Sequence, residues 1–324
     1  VTMDLPGLDE IKRAAELVYR TMPATPQYSW PLLNERAGGE VWVKHENHTP
    51  AGAFKLRGGL IYMDWLRREQ SEVTTVVSAT RGNHGQSIAL AAARNGIRAV
   101  IIVPHGNSVE KNRAMRSQGA ELVEHGADFQ EALEHAVLLE QENGWHWVPS
   151  CHALLVKGVA TYALEMLTAC PELDTVYVPI GMGSGICGMI AVRNALGLKT
   201  KVVGVTSKSA RATALSFAAG AVVEDVATTR IADGVACRRP MQETLEVLQA
   251  GMERLIEVED DEVEAAMRAY FSDTHNVAEG AGAIGLAALL KDRANMQGRV
   301  GTVLCGGNVD SEVFARVLAG GAAA

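Results

Sequence analysis

The chain has 324 residues, 48% hydrophobic and 21% charged, which is enough apolar side chain to bury a sizeable core and excludes wholesale disorder. Thirty Lys and Arg against 38 Asp and Glu leave a formal charge of −8, the wrong sign for a general partner of nucleic acid or of an anionic membrane. The longest apolar stretch, residues 281–290, is too short to span a bilayer, and glycine is over-used, 32 residues against 10 prolines, as where backbone must approach a ligand closely.

In chain order, residues 1–10 are acidic and helix-like rather than a secretory leader. Strand-like runs follow at 73–79, 98–103, 120–125, 145–149, 174–180, 201–206 and 300–305. They are mostly continuous rather than alternating, as in strands buried on both faces. Helical segments at 84–95, 108–118, 129–143 and 154–168 lie between them, and Ser108 ahead of Glu110 and Lys111 reads as a helix start. The alternation predicts an α/β fold with open parallel sheets. Four β/α units fit in 73–150 and a second set in 174–305, so two sheets are expected. Residues 1–72 cannot stand alone. They are expected to join 152–324 in a large discontinuous domain, with 73–151 forming a small mobile domain and a ligand cleft between the two. There is no internal repeat, and residues 320–324 are the only low-complexity segment. Five cysteines, an odd count without a CxxC pair, argue against a disulfide framework or zinc knuckle and for a cytoplasmic protein. Each is expected to be a small buried apolar residue.

Five segments carry candidate chemistry. In Gly52-Ala53-Phe54-Lys55-Leu56-Arg57-Gly58-Gly59, Lys55 sits in a partly apolar setting, where an amine loses basicity and becomes a nucleophile. Neither His45 nor His48 upstream reads as a metal ligand. Thr80-Arg81-Gly82-Asn83-His84-Gly85 joins a strand end to a helix start and suits a carboxylate; the plainer reading makes Asn83 a helix cap. Gly181-Met182-Gly183-Ser184-Gly185-Ile186-Cys187-Gly188 follows a strand and opens a helix, a cradle for phosphate or simply a tight turn. Its Gly183-x-Gly185-x-x-Gly188 spacing also matches the dinucleotide fingerprint. The next strand ends Thr206-Ser207-Lys208 without the acid that holds a ribose, so NAD is disfavoured and NADP is left as the alternative. Glu279 lies at the entry of an apolar helix, where a carboxylate is favoured in any case. Cys305-Gly306-Gly307-Asn308 closes the last strand, at the strand end where α/β sheets commonly place function.

Together with Ile231-Ala232-Asp233-Gly234-Val235, these segments in this order resemble the fold-type II pyridoxal-phosphate (PLP) enzymes of the threonine/serine dehydratase and serine racemase family, in the short form without a C-terminal regulatory domain. The resemblance runs from about residue 20 to 314. It implies two open parallel-sheet domains like those of the tryptophan synthase β chain, a homodimer, and pyridoxal 5′-phosphate as cofactor. Position by position, it implies that Lys55 carries the cofactor on its amine and is the catalytic residue. Phe54 would line the ring and Asn83 would bond its 3′ oxygen. Gly181, Met182, Gly183, Ser184 and Gly185 would surround its phosphate. Cys305 would sit at the pyridine nitrogen, with Glu279 near ring and substrate. Thr80, Arg81, Gly82, Asn83 and His84 would hold the substrate carboxylate.

The departures from the family pattern are informative. Ala53 stands where relatives often have Ser, and Met182 and Ser184 interrupt a run that is usually four glycines. Arg81 replaces the Ser that serves serine racemase as its second base. Guanidinium stays protonated, so a lyase with little or no racemase activity is expected. Gln130 aligns loosely with an Arg of relatives acting on hydroxyaspartate, and Thr206 takes the position of an acidic cation ligand, so no metal is expected. The implied function is elimination of water and then ammonia from a β-hydroxy-α-amino acid, L-threonine or L-serine in type or 3-phenylserine, to give a 2-oxo acid. The alternatives are a hydroxyaspartate dehydratase, a serine racemase or, outside the family, the NADP-dependent oxidoreductase.

Overall fold

The runs of Val and Ile form two sheets of unequal size in the computed structural model, which describes residues 3–320. The strands are β1 (Gln27–Ser29), β2 (Val41–His45), β3 (Thr75–Ala79), β4 (Arg98–Val103), β5 (Glu121–Glu124), β6 (His146–Trp147), β7 (Leu173–Pro179), β8 (Lys201–Ser207), β9 (Arg254–Val258) and β10 (Arg299–Leu304). The helices are α1 (Leu8–Val18), α2 (Pro31–Ala37), α3 (Lys55–Glu69), α4 (Asn83–Arg94), α5 (Val109–Ser117), α6 (Phe129–Asn143), α7 (Ala153–Ala169), α8 (Ser184–Ala195), α9 (Ala212–Ala219), α10 (Gln242–Gly251), α11 (Asp260–Thr274), α12 (Gly280–Lys291) and α13 (Ser311–Leu318).

The larger sheet has the order β1-β2-β10-β7-β8-β9, with β1 antiparallel to β2 and the other neighbours parallel. The smaller, β5-β4-β3-β6, is parallel throughout. Parallel strands need helical crossovers, which cover both faces and explain the continuous apolar runs. The segments that matter all leave the C-terminal ends of parallel strands. Residues 46–55 follow β2, the 80–85 loop follows β3, the glycine run follows β7, and Cys305 follows β10.

Several elements differ from expectation. The first helix covers 8–18 rather than the opening ten residues, with Glu10 Oε2 accepting from the Gly7 amide at 3.1 Å. Of the run 145–149 only two residues pair, at a sheet edge. β1, β2 and β9 were not foreseen. The sequence groups everything before residue 72 with the larger sheet. β1 and β2 do lie there, but α1 and α3 bury Ala14, Val18, Leu56, Leu60 and Met63 in the core of the smaller one. α3 can lie this close to α7 because glycines meet at the crossing: a Cβ on Gly158 would stand 2.2 Å from the Arg57 carbonyl oxygen.

All five cysteines are free and buried. No helix among the described residues is long and apolar enough to cross a membrane. The low-complexity residues 321–324 lie outside those described.

Candidate active site

Lys55 is the first residue of α3, placed by two strands of backbone that zip together. Ala53 bridges Gly306, the Phe54 amide donates to the Cys305 carbonyl at 3.0 Å, and the Gly307 amide donates to Gly52 at 2.9 Å. The Lys55 carbonyl accepts from Ser87 Oγ at 2.7 Å. Its Nζ makes no hydrogen bond or ion pair among the described residues and lies 5.5 Å from the centre of the Phe54 ring. Burial pushes the amine below its ordinary value.

The turn that starts α3 is anchored by charge. Arg57, fully buried, bonds Glu46 at 2.7 Å and Glu165 at 2.6 Å, and Lys44 reaches Glu165 at 2.6 Å. Two cations and two carboxylates therefore balance in the core, with Thr25 and Thr161 hydroxyls filling further bonding positions. Burial opposes the charge on Arg57, but Glu46 and Glu165 outweigh it and hold the guanidinium protonated.

Beside Lys55, an apolar cavity is lined by Phe54, Tyr162, Val178, Gly185, Val303 and Cys305. Tyr162 stands edge-on to Phe54 at 6.2 Å, its hydroxyl donating to the Gly185 carbonyl at 2.8 Å. Cys305 Sγ donates to the Ala281 carbonyl at 3.2 Å, and burial pushes its thiol well up, so it is neutral.

The glycine run opens α8, whose first amides have no partner within the helix. Gly183 caps it in a left-handed conformation, φ 97°, and a Cβ there would meet Thr244 Cγ2 at 2.2 Å. Met182 is turned aside: Cys237 Sγ donates to its sulfur at 3.7 Å and Thr244 Oγ1 to its carbonyl at 3.4 Å. Ser184 is buried at the first helical position. Gly188, the last glycine of the dinucleotide pattern, is used for packing, since a Cβ would come 3.0 Å from Ala160 on α7. Lys208 is paired with Glu259 at 2.7 Å rather than facing the glycine run.

In the 80–85 loop, Thr80 Oγ1 accepts from the Gly82 and Gly85 amides at 3.0 and 3.3 Å. Gly82, not Asn83, occupies the cap position of α4. His84 is 7% exposed with Nε2 unpartnered; burial first and the Lys55 charge second push its imidazole down to about 3. Arg81 is exposed and makes no hydrogen bond or ion pair among the described residues. Asn83 Nδ2 donates to Glu279 Oε1 at 2.5 Å, and its oxygen accepts from Asn308 Nδ2 at 2.9 Å. Glu279 caps α12, is 2% exposed and is pushed up to about 7, chiefly by burial, with Lys111 opposing and Asp233 adding to the shift. Ser108 Oγ bonds Asp310 across the same seam.

Gln130 lies on the exposed face of α6, bonded to Glu134 at 3.0 Å. Thr206 is buried in β8 with its hydroxyl unpartnered. No cluster of three or more metal-ligating side chains occurs among the described residues. Residues that the sequence reading did not place at the site include Lys111, Asp233, Tyr162, Thr244 and Asn308. Asp233 and Asn308 stood inside recognised motifs, so their neighbourhood was signalled although their partners were not.

Two parallel-sheet α/β units, a lysine amine that makes no hydrogen bond or ion pair among the described residues, and a neighbouring apolar slot lined by Gly185 of the first turn of α8 define an enzyme of fold type II. The sequence profile of the family described as "Pyridoxal-phosphate dependent enzyme" matches residues 19–306, and the chain belongs to that family. It is 35% identical over 297 residues to the biosynthetic L-threonine dehydratase of Escherichia coli, covering 90% of this chain and 58% of that one. The chain thus spans less than two thirds of the biosynthetic dehydratases it matches. The catabolic L-threonine dehydratase of Escherichia coli is 30% identical over 320 residues, 96% of this chain and 95% of that one. Among solved structures, maize serine racemase superposes with a TM-score of 0.90 at 27% identity over 98% of both chains. Threonine deaminase isoform 2 of Solanum lycopersicum gives 0.86 at 26% identity, over 98% of this chain and 95% of that one. The cofactor is pyridoxal phosphate. The residues present fit it: an unpaired amine for its aldehyde, the slot between Phe54 and Cys305 for its ring, and the Gly183 turn, which has no room for a side chain, for its phosphate.

Proposed function

We propose that this chain is an ammonia-lyase that converts a β-hydroxy-α-amino acid to a 2-oxo acid, releasing water and then ammonia. The observation that carries the reading is the Lys55 amine, less basic than usual and without a hydrogen bond or ion pair among the described residues, beside the Phe54 ring that lines the apolar slot. When bound, pyridoxal phosphate supplies an electron sink for the pair left behind by the α-proton. Lys55 would hold the cofactor on its amine and, when freed from it, would serve as the base for the α-proton; burial lowers its pKa and so favours the neutral amine that a base requires. The amides of Gly181 to Gly185 would receive the phosphate, aided by the start of α8. Thr80, Gly82, Asn83 and His84 present the substrate carboxylate with a turn of donors. Cys305 would face the ring nitrogen as a neutral thiol and so would add no charge to it.

The names of the dehydratase relatives support L-threonine as substrate. Arg81 supports a lyase over a racemase, because a guanidinium does not accept a proton from the opposite face at neutral pH. Gln130, tied to Glu134 on the surface, supports a substrate without a second carboxylate. The test is 2-oxo acid and ammonia formation from L-serine, L-threonine, 3-hydroxyaspartate and 3-phenylserine. Equal amounts of the two products are expected from at least L-serine or L-threonine, and neither product from Lys55→Ala. Silence on all four substrates overturns the reading, and D-serine appearing from L-serine as fast as pyruvate overturns the choice of lyase.

A further inference from the structure

Lys111 belongs to none of the expected cofactor or substrate segments, yet its side chain enters the site. It stands on the first turn of α5, in the four-stranded unit, and is 8% exposed. Its stem lies flat on the substrate loop: a Cβ on Gly82 would meet Lys111 Cδ at 2.6 Å. Its Nζ crosses to the six-stranded unit, 2.8 Å from Asp233 Oδ2 and 3.7 Å from Glu279 Oε2. That Glu279 oxygen accepts no hydrogen bond, whereas Oε1 takes the Asn83 amide. One cation is therefore shared by two carboxylates of unequal solvation. The Asp233 side chain is 39% exposed and can draw on water; that of Glu279, at 2%, depends on Lys111.

We propose that Lys111 is a positioning residue that sets the charge of Glu279: seated on Gly82, it brings to the substrate loop the cation that favours the ionised form of this buried carboxylate, and Asp233 competes for it. An ionised Glu279 holds the Asn83 amide with its nitrogen toward the carboxylate and its oxygen toward Asn308. The titratable groups that face Glu279 are Lys111 from α5, Asp233 from the segment 233–235 and Cys305 at the end of β10, while Asp310 faces Lys111. The inference rests on the site assigned above, not on the choice of substrate.

Two substitutions shift Glu279 in opposite directions. Lys111→Met removes the cation and keeps the stem on Gly82, so the Glu279 titration midpoint rises by about one pH unit or more. Asp233→Asn removes the competitor and lowers it. Lys111→Arg restores a midpoint near that of the unaltered chain. The measurement is 13C NMR of the full-length, cofactor-loaded protein labelled at glutamate Cδ, with the Glu279 resonance identified by its loss in Glu279→Gln. An unmoved midpoint in Lys111→Met, or a midpoint that stays or rises in Asp233→Asn, overturns the proposal. Asp233→Asn decides alone if Lys111→Met does not fold. If the chain forms no 2-oxo acid, the titration still reads out Lys111, so failure of the lyase reading and failure of this one are distinguishable.

Discussion

Arg57 shows how a charged side chain becomes a core residue. It has no exposure, and its two carboxylate partners, Glu46 and Glu165, come from the single 3₁₀ turn of residues 46–48 and from α7. Arg57→Met leaves those acids buried with Lys44 as their one close cation among the described residues, and removing one partner from such a cluster costs about 3–5 kcal/mol. Urea unfolding of the variant checks this, and a loss below about 1 kcal/mol, the scale of an exposed pair, would show that the cluster is solvated. Gly183 makes a second residue-scale case. Gly183→Ala places a methyl group at Thr244 in a left-handed conformation, so the helix start must shift and cofactor affinity should fall at least tenfold, read by fluorescence titration of the stripped protein. At this scale the sequence was informative about Lys55, whose neighbours in the chain are also its neighbours in space. It was silent on Lys44, Glu46 and Glu165, because isolated charges read as surface, and on Lys111, whose partner Asp233 is 122 positions away.

Among the elements, the α3–α7 crossing is the one that aims the lysine. Gly58 and Gly158 let the two backbones touch, and Arg57, between Lys55 and the crossing, passes its ion pairs to the same helix. Gly158→Ala puts a methyl group 2.2 Å from the Arg57 carbonyl oxygen. Overpacking of that kind costs about 1–3 kcal/mol, and the rigid neighbour here is backbone. The variant should melt at a lower temperature and show a changed absorbance of the bound cofactor, because α3 cannot move without Lys55. An unchanged spectrum would mean that the helix yields elsewhere. The strands of continuous Val and Ile were legible as such, β4 at its full expected length. β2 was not, since Val41–His45 ends in Lys and His and its burial depends on Glu165 and Trp30. β9 pairs at the outer edge of the larger sheet and is only partly buried, so it lacks the apolar signature.

For the molecule as a whole, buried histidines decide how stability follows pH. Burial pushes His84 down to about 3 and His45 to about 4, from an ordinary value of 6.5, so both are neutral in the folded chain. Unfolding lets them take up protons below pH 6.5, and stability is therefore lost as the pH falls from 6.5 toward 4 and 3. Glu279, raised to about 7, acts the other way: its contribution is greatest below 4.5 and is lost as the pH rises through 7. Two groups outweigh one, and the urea midpoint should fall between pH 7 and 5; a midpoint that rises over that interval contradicts the assignment. His84→Gln should flatten the fall.

On the site proposed above, the two sheets share the cofactor's anchors between them. α3 hangs in the core of the smaller sheet and carries Lys55 toward Cys305, while the Gly183 turn and α8 belong to the core of the larger. A ligand anchored at both ends works like a rivet through two plates. The stripped chain should come apart in two transitions, one for each plate, and the loaded chain in a single cooperative one at higher denaturant, because neither half can let go alone.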